Sequence, residues 1–159
     1  MMIMRDNQGR TRLSLDELIE SHKRAAARVF TASAHMKLMA SMHVAEVGGD
    51  LMTMLTPLSF GLTDDDEGAE EFANRVRAMA DEAGAYAVVV VHEMWTVMRG
   101  CNDTTPLKVR PRDDPDRGEA MILVVEHEDA HEQALFVAKI EREVPGDFGS
   151  KPKLQEWVS

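Results

Sequence analysis

The apolar positions of this chain change period several times, and each change marks an element. Leu15, Leu18, Ile19, His22, Ala26, Val29 and Phe30 recur at the three- and four-residue spacing of one helix face. Ser14-Leu15-Asp16-Glu17 reads as a capping box, with the serine hydroxyl accepting from first-turn amides. This spacing predicts a helix from Leu15 to Phe30. A second stripe, Phe72, Val76, Met79, Ala80 and Ala83, follows the acidic run Asp64-Asp65-Asp66-Glu67, which suits the positive end of a helix dipole. Gly84 stands where the C-terminal cap of that helix belongs.

Elsewhere the pattern is that of strands. Val88 to Val91 form an unbroken valine run within Ala87–Trp95, which implies a central strand covered on both faces. Residues 36–56 could extend the first helix through Met36, Met39, Met42 and His43. Glu46-Val47-Gly48-Gly49-Asp50-Leu51 is, however, a two-glycine hairpin signal, which favours strands near 38–47 and 51–56. Two more strands are expected at 119–127 and 132–142, with His127 to Glu132 at or near the turn between them. Together these elements predict an α+β domain, with two helices packed on one face of a mostly antiparallel sheet of about five strands. The chain of 159 residues fits one such domain, 1–159, with 1–12 and 145–159 as loose ends, the latter pinned by Trp157.

Two stretches look familiar as a pair. They are Ala87 to Trp95, ending in Glu93-Met94-Trp95, and Pro111-Arg112-Asp113-Asp114-Pro115-Asp116-Arg117-Gly118-Glu119, which leads into an apolar strand. This combination resembles a loose set of uncharacterised bacterial and phage-type proteins. These have a valine-rich strand carrying Glu-x-Trp and a Pro-x-x-Asp-Pro-Asp-Arg-x-Glu loop before the next strand. The resemblance spans roughly residues 70–128, with Arg112 standing where a serine would be expected. It implies strand, loop and strand in that order, and it brings no activity with it.

Net charge is −10, unevenly spread: residues 1–63 and 99–118 each sum to +1, while 64–98 carry −7 and 119–159 carry −5. An acidic surface repels phosphate backbones, so no nucleic-acid partner is expected. No apolar run approaches the ~20 residues that span a bilayer, and the N-terminal residues lack a signal-peptide pattern, so no membrane partner is expected either. A lone cysteine, Cys101, excludes an internal disulfide framework, and a cytoplasmic protein is the economical reading.

Candidate chemistry is sparse. His127-Glu128-Asp129-Ala130-His131 matches H-E-x-x-H, in which a helix presents two histidines to zinc and the glutamate acts as general base. That gives one functional alternative, a zinc-dependent hydrolase using His127, Glu128 and His131. The strand-like flanks and the charge at Asp129 argue instead for a hairpin tip. Lys108, Arg110 and Arg112 alternate along the long loop and, with Asp114, Asp116 and Arg117, form a candidate binding loop; the same aspartates and Pro115 are also ordinary turn chemistry. Arg117 and Glu119 could pair at the start of the following strand. Glu93 near the end of an apolar strand could serve as a base, and His92 could join His127 or His131 in a surface metal site.

Twelve methionines, five of them between Met36 and Met54, with His35 and His43 nearby, permit a copper(I) reading. Methionine filling an irregular core or an adaptable contact is the stronger account. His22, within an apolar stripe, is expected to be a buried, hydrogen-bonded histidine. The leading functional reading is a small non-enzymatic protein, without cofactor, that binds a protein partner or itself. A homo-oligomer is expected, most simply a two-fold dimer with contacts from the Met-rich hairpin.

Overall fold

The computed structural model describes residues 3–5, 8–33, 35–63, 65–97, 109–115 and 117–159. Its elements run β1 (Ile3–Arg5), β2 (Arg10–Leu13), α1 (Leu15–Ala32), β3 (Met39–Val47), β4 (Gly49–Leu55), α2 (Asp66–Ala83), β5 (Ala87–Thr96), β6 (Gly118–His127), β7 (Ala134–Arg142) and β8 (Pro152–Val158), with 3-10 turns at Pro57–Phe60 and Pro111–Asp113. Each strand pairing is antiparallel. The sheet order is β1-β2-β3-β5-β6-β7-β8, with β4 paired to β3 off this path. Among the described residues no helix is long and apolar enough to cross a membrane.

β3 is the branch point. Its residues Ala40 to His43 pair with β4 along one side and with β5 along the other. Beyond the end of β5, Glu46 and Val47 take Thr11 and Arg10 of β2 as partners. The expected hairpin at the two glycines forms between β3 and β4, and Gly48 takes the positive φ of 84° that this turn requires.

Both helices begin, and α2 also ends, on the chemistry expected of them, while α1 runs two residues past Phe30 to Ala32. The Ser14 hydroxyl accepts from the Glu17 amide at 3.2 Å. At α2, Asp65 Oδ1 accepts from the Gly68 amide at 2.7 Å, and this bond, with a second from the Thr63 hydroxyl, draws the Asp65 pKa below its ordinary value. Gly84 caps α2 at φ 68°, where a Cβ would be strained. At Gly68 a Cβ would run into the Thr63 carbonyl, so the close approach of the preceding segment to α2 demands glycine.

The expected single-face packing of the helices is corrected. In β5, Val89 and Val91 join the cluster containing Leu18, Ile19, Ala26 and Phe30 of α1. The alternate residues Val88 and Val90 pack against the cluster that holds Phe72 and Val76 of α2. Successive strand residues point to opposite faces, so α1 and α2 lie on opposite sides of the sheet. The valine run thus packs on both faces, as its sequence implies, but unequally: Val89 and Val91 are buried on the α1 side, whereas Val88 and Val90 are half-buried beside α2; full burial of a valine stabilises by about 1.5–3 kcal/mol.

The strand count also exceeds five, because the segments expected to be loose contribute strands. β1 and β2 form a hairpin from the first 13 residues, and β8 pairs with β7. Trp157 packs against the α1-side core, as its expected pinning role requires. The five strands read from sequence all occur, including β6 and β7 as a hairpin.

Candidate functional site

The H-E-x-x-H segment lies where a strand ends and a turn begins. His127 is the last residue of β6 and is 5% exposed, whereas Glu128 and His131 are exposed in the turn before β7. The Nε2–H of His127 donates to the Leu13 carbonyl at 3.1 Å, and its Nδ1 accepts from the Asp129 amide at 3.1 Å. Both ring nitrogens therefore hold backbone groups of the fold. Glu128 forms an ion pair with Arg12, and Asp129 lies 3.3 Å from the same guanidinium. The spacing that stacks two histidines on a helix face does not do so across a strand end and a turn.

The arginines of the candidate binding loop turn back on the protein. Arg110 Nη1 and Arg112 Nη2 both donate to Asp66 Oδ2, at 3.0 and 2.9 Å, at the first turn of α2. Asp114 caps the short 3-10 turn and its carbonyl accepts from the Arg117 amide at 3.1 Å. The expected Arg117–Glu119 pair does not form. Arg117 sits 4.9 Å over the Trp95 ring, which also meets Phe148 edge-on, while Glu119 is turned inward. Lys108, Asp116 and Cys101 lie outside the described residues.

Two clusters bring together residues that the sequence named only separately, Glu93, Glu119, His35 and His43, with Arg142, Asp50 and Tyr86, which it did not mark as a site. In the first, Arg142 donates to Glu119 through Nε at 2.9 Å and through Nη2 at 2.5 Å, and its Nη1 donates to the Ser150 carbonyl at 3.0 Å. Glu93 lies 3.5 Å from Nη2 and also accepts from His35 Nδ1 and from the Met36 amide, both at 2.9 Å. The ligand atoms of His35, Glu93 and Glu119 lie within 4.8 Å of one another, a spacing a metal ion can use. The guanidinium of Arg142 supplies the positive charge at that meeting point, so a metal ion would have to expel it. The sequence signal was parity: Glu119 alternates with Met121, Leu123 and Val125, and Arg142 with Ala138 and Ile140, so both fall on core-facing positions.

The second cluster joins β3, β4 and the residue before β5. Asp50 accepts from His43 Nδ1 at 2.8 Å and, through its other oxygen, from the Tyr86 hydroxyl. That hydroxyl also accepts from the Leu13 amide at 3.0 Å, tying β2 to the same point. Burial, and then the bond to Asp50, pushes the Tyr86 phenol above its ordinary range. His43 is 2% exposed, and its Nε2 is buried without a partner among the described residues. His22 meets the His43 ring edge-on at 5.4 Å and bonds the Leu18 carbonyl through Nδ1 at 2.8 Å, so it is hydrogen-bonded as expected but half-buried rather than buried. The signal in sequence was slight: Tyr86 is the sole tyrosine, and Asp50 the sole charge in β4.

Two surface features remain. β4 pairs only with β3 among the described residues, and Leu51, Met52 and Met54 are 47%, 48% and 52% exposed. Met36, Met42 and Leu55 of the same region are buried within the chain. On the α2 face, a groove of about 810 Å³ runs between α2 and the β6–β7 hairpin, floored by Val88, Val90 and Val124. His92, His127 and His131 all border it, but their ligand atoms do not converge on one point. Comparison with protein-family models, curated proteins and solved structures finds no match.

Because His127 holds two backbone groups, His127→Ala should cost about 2–3 kcal/mol in urea denaturation. Purified protein should carry less than about one zinc per ten chains, since tight zinc sites need three or four converging ligands. Near-stoichiometric zinc that disappears in His127→Ala would contradict this.

Burial, aided by repulsion from His43 and opposed by the Leu18 carbonyl and Asp50, lowers the His22 pKa below its ordinary 6.5. Between that lowered value and 6.5 the unfolded chain binds more protons than the folded one, so stability declines as pH falls through this window. The urea midpoint should therefore fall as pH drops below 6.5, and His22→Gln, which keeps a donor for Leu18, should flatten the decline. An unchanged slope in that variant would rule out His22 as a source.

Proposed function

We propose that this protein is a non-enzymatic binding protein that associates with a second copy of itself along the β4 edge. The observation that carries this reading is the undefended character of β4. Unpaired strand edges recruit other strands, and proteins usually blunt them with lysine, proline, a bulge or an inward-pointing charge. β4 reads Gly49-Asp50-Leu51-Met52-Thr53-Met54-Leu55, with no lysine or proline. Its single charge, Asp50, points inward at the hairpin end, but His43 and Tyr86 already hold it, so a strand added at this edge would not bury an uncompensated carboxylate. Met52 and Met54 share one face with His43, and Leu51 shares the other with Val44. Leu58, just beyond, is 81% exposed.

Antiparallel pairing of two β4 strands about a two-fold axis would continue the sheet from one copy into the next and cover methionines on one face and Leu51 on the other. Methionine tolerates such a contact because its unbranched side chain adapts to the partner surface. A short strand with a few apolar neighbours lies at the small end of specific interfaces, so the dimer is expected to dissociate on the order of micromolar.

Sedimentation velocity from about 1 to 100 μM should show reversible dimerisation. Met52→Lys and Met54→Lys, tested separately, should each weaken the dimer by roughly tenfold or more without lowering the thermal midpoint, because both positions are exposed in the isolated chain. A monomer throughout that range, or a dimer indifferent to both substitutions, would overturn the proposal.

A further inference from the structure

The groove on the α2 face has the dimensions of a missing helix. Helices packed side by side on a sheet stand about 10 Å apart, and strands about 4.8 Å apart, so neighbouring helices are offset by two strands. α2 lies over β3. In the order β3-β5-β6-β7, the next position is therefore over β6. That position carries no element among the described residues. Val124 on β6 and Val88 and Val90 on β5 form an apolar floor, and Leu135 on β7, 51% exposed, stands beside Val124 at the groove's edge.

The walls suit a helix as well. Ala69, Ala73, Val76 and Ala80 recur at helical spacing along the side of α2 that lines the groove, and their small side chains permit close approach. The floor from Ala87 to His92 on β5 is about 17 Å long, the length of roughly 11 helical residues.

Charge selects the occupant. The groove is bordered by Asp81, Glu126 and Glu132, with Glu128 already paired to Arg12, against a single lining arginine, Arg77. A second copy of this chain offers no suitable helix: α1 is already packed into its own core, and α2 is acidic, with six carboxylates and two arginines. We propose that the groove receives a basic amphipathic helix of another protein, its apolar side on the valine floor and its lysines or arginines against the acidic rim. This site is separate from the β4 edge and does not depend on it.

The test is fluorescence anisotropy with a labelled synthetic peptide of about 16 residues, leucine and alanine along one side and lysine and arginine along the other. A counterpart with glutamate in place of its basic residues serves as the comparison. The basic peptide should bind saturably, one per chain, and at least roughly tenfold more tightly than the acidic one. Affinity should weaken as salt rises from about 0.05 to 0.3 M.

Ala73→Trp, which fills the groove from an exposed position on α2, and Leu135→Lys, which places a cation beside Val124 at the groove's edge, should each weaken binding by at least roughly tenfold. Circular dichroism establishes that each variant is folded, and Leu135 is exposed enough to tolerate exchange. Absence of saturable binding, equal affinity for both peptides, or indifference to both substitutions would overturn the proposal. So would binding of an anionic apolar dye in the groove without binding of the peptide, since that would make the site one for a small apolar ligand.

Discussion

The carboxyl group of Asp50, held between the Tyr86 hydroxyl and His43 Nδ1, joins parts of the chain that no continuous run of pairing connects. β2 pairs with β3 only at its far end, and β5 begins beside His43. At this corner the sheet changes partners, and backbone amides there need other acceptors. Tyr86 supplies one to Leu13, and its own amide donates to the His43 carbonyl. Such a network is buried, so its groups are costly if left unpaired, and that cost makes it specify one arrangement. The same bonds compensate the only charge of β4, an inward-pointing one. Stability at the corner and availability of the edge thus have a common cause.

A central sheet with one helix on each side organises the remaining surface. α1 lies across β5, β6 and β8, and its cluster takes in Phe136, Ile140, Leu154 and Trp157. α2 covers less, packing on β3 and the turn at Pro57–Phe60. The asymmetry leaves the α2 face of β6 and β7 open, and at the other end of the α1 face the core closes on charge, with Arg142 between Glu119 and Glu93. A buried ion pair of this kind contributes little net stability, but removing one partner leaves the other uncompensated. Its effect is to fix the segment from His35 to Met36, and so the route from α1 into β3.

Much of this fold was legible because the relevant forces are local and periodic. Both helices carry their caps and stripes in the sequence, and Val88 to Val91 announced a strand packed on both sides. The hairpin at Gly48 was legible because positive φ favours glycine. Other features depend on distant partners. Thr11 and Pro152 lie in segments too short or too polar to show a period, and they become strand residues only because β3 and β7 offer open edges. The side on which α2 packs was not encoded in its own stripe, which fits either face of a sheet. The H-E-x-x-H match shows the opposite failure: five residues satisfied a local pattern whose chemistry needs a helix, while β-branched flanks demanded a strand. The pairing of Asp50 with Tyr86 and of Arg142 with Glu119 escaped notice because the partners lie 36 and 23 residues apart in sequence.

The direct test of the account is a double-mutant cycle at the corner, with Asp50→Ala, Tyr86→Phe and the double variant compared by urea denaturation in the wild-type background. If Asp50 and Tyr86 hold each other in the folded protein, the two losses should be less than additive, with a coupling of about 1–3 kcal/mol. Losses that simply add, to within roughly 0.3 kcal/mol, would mean that Tyr86 and Asp50 do not hold each other, and would contradict this account of the corner.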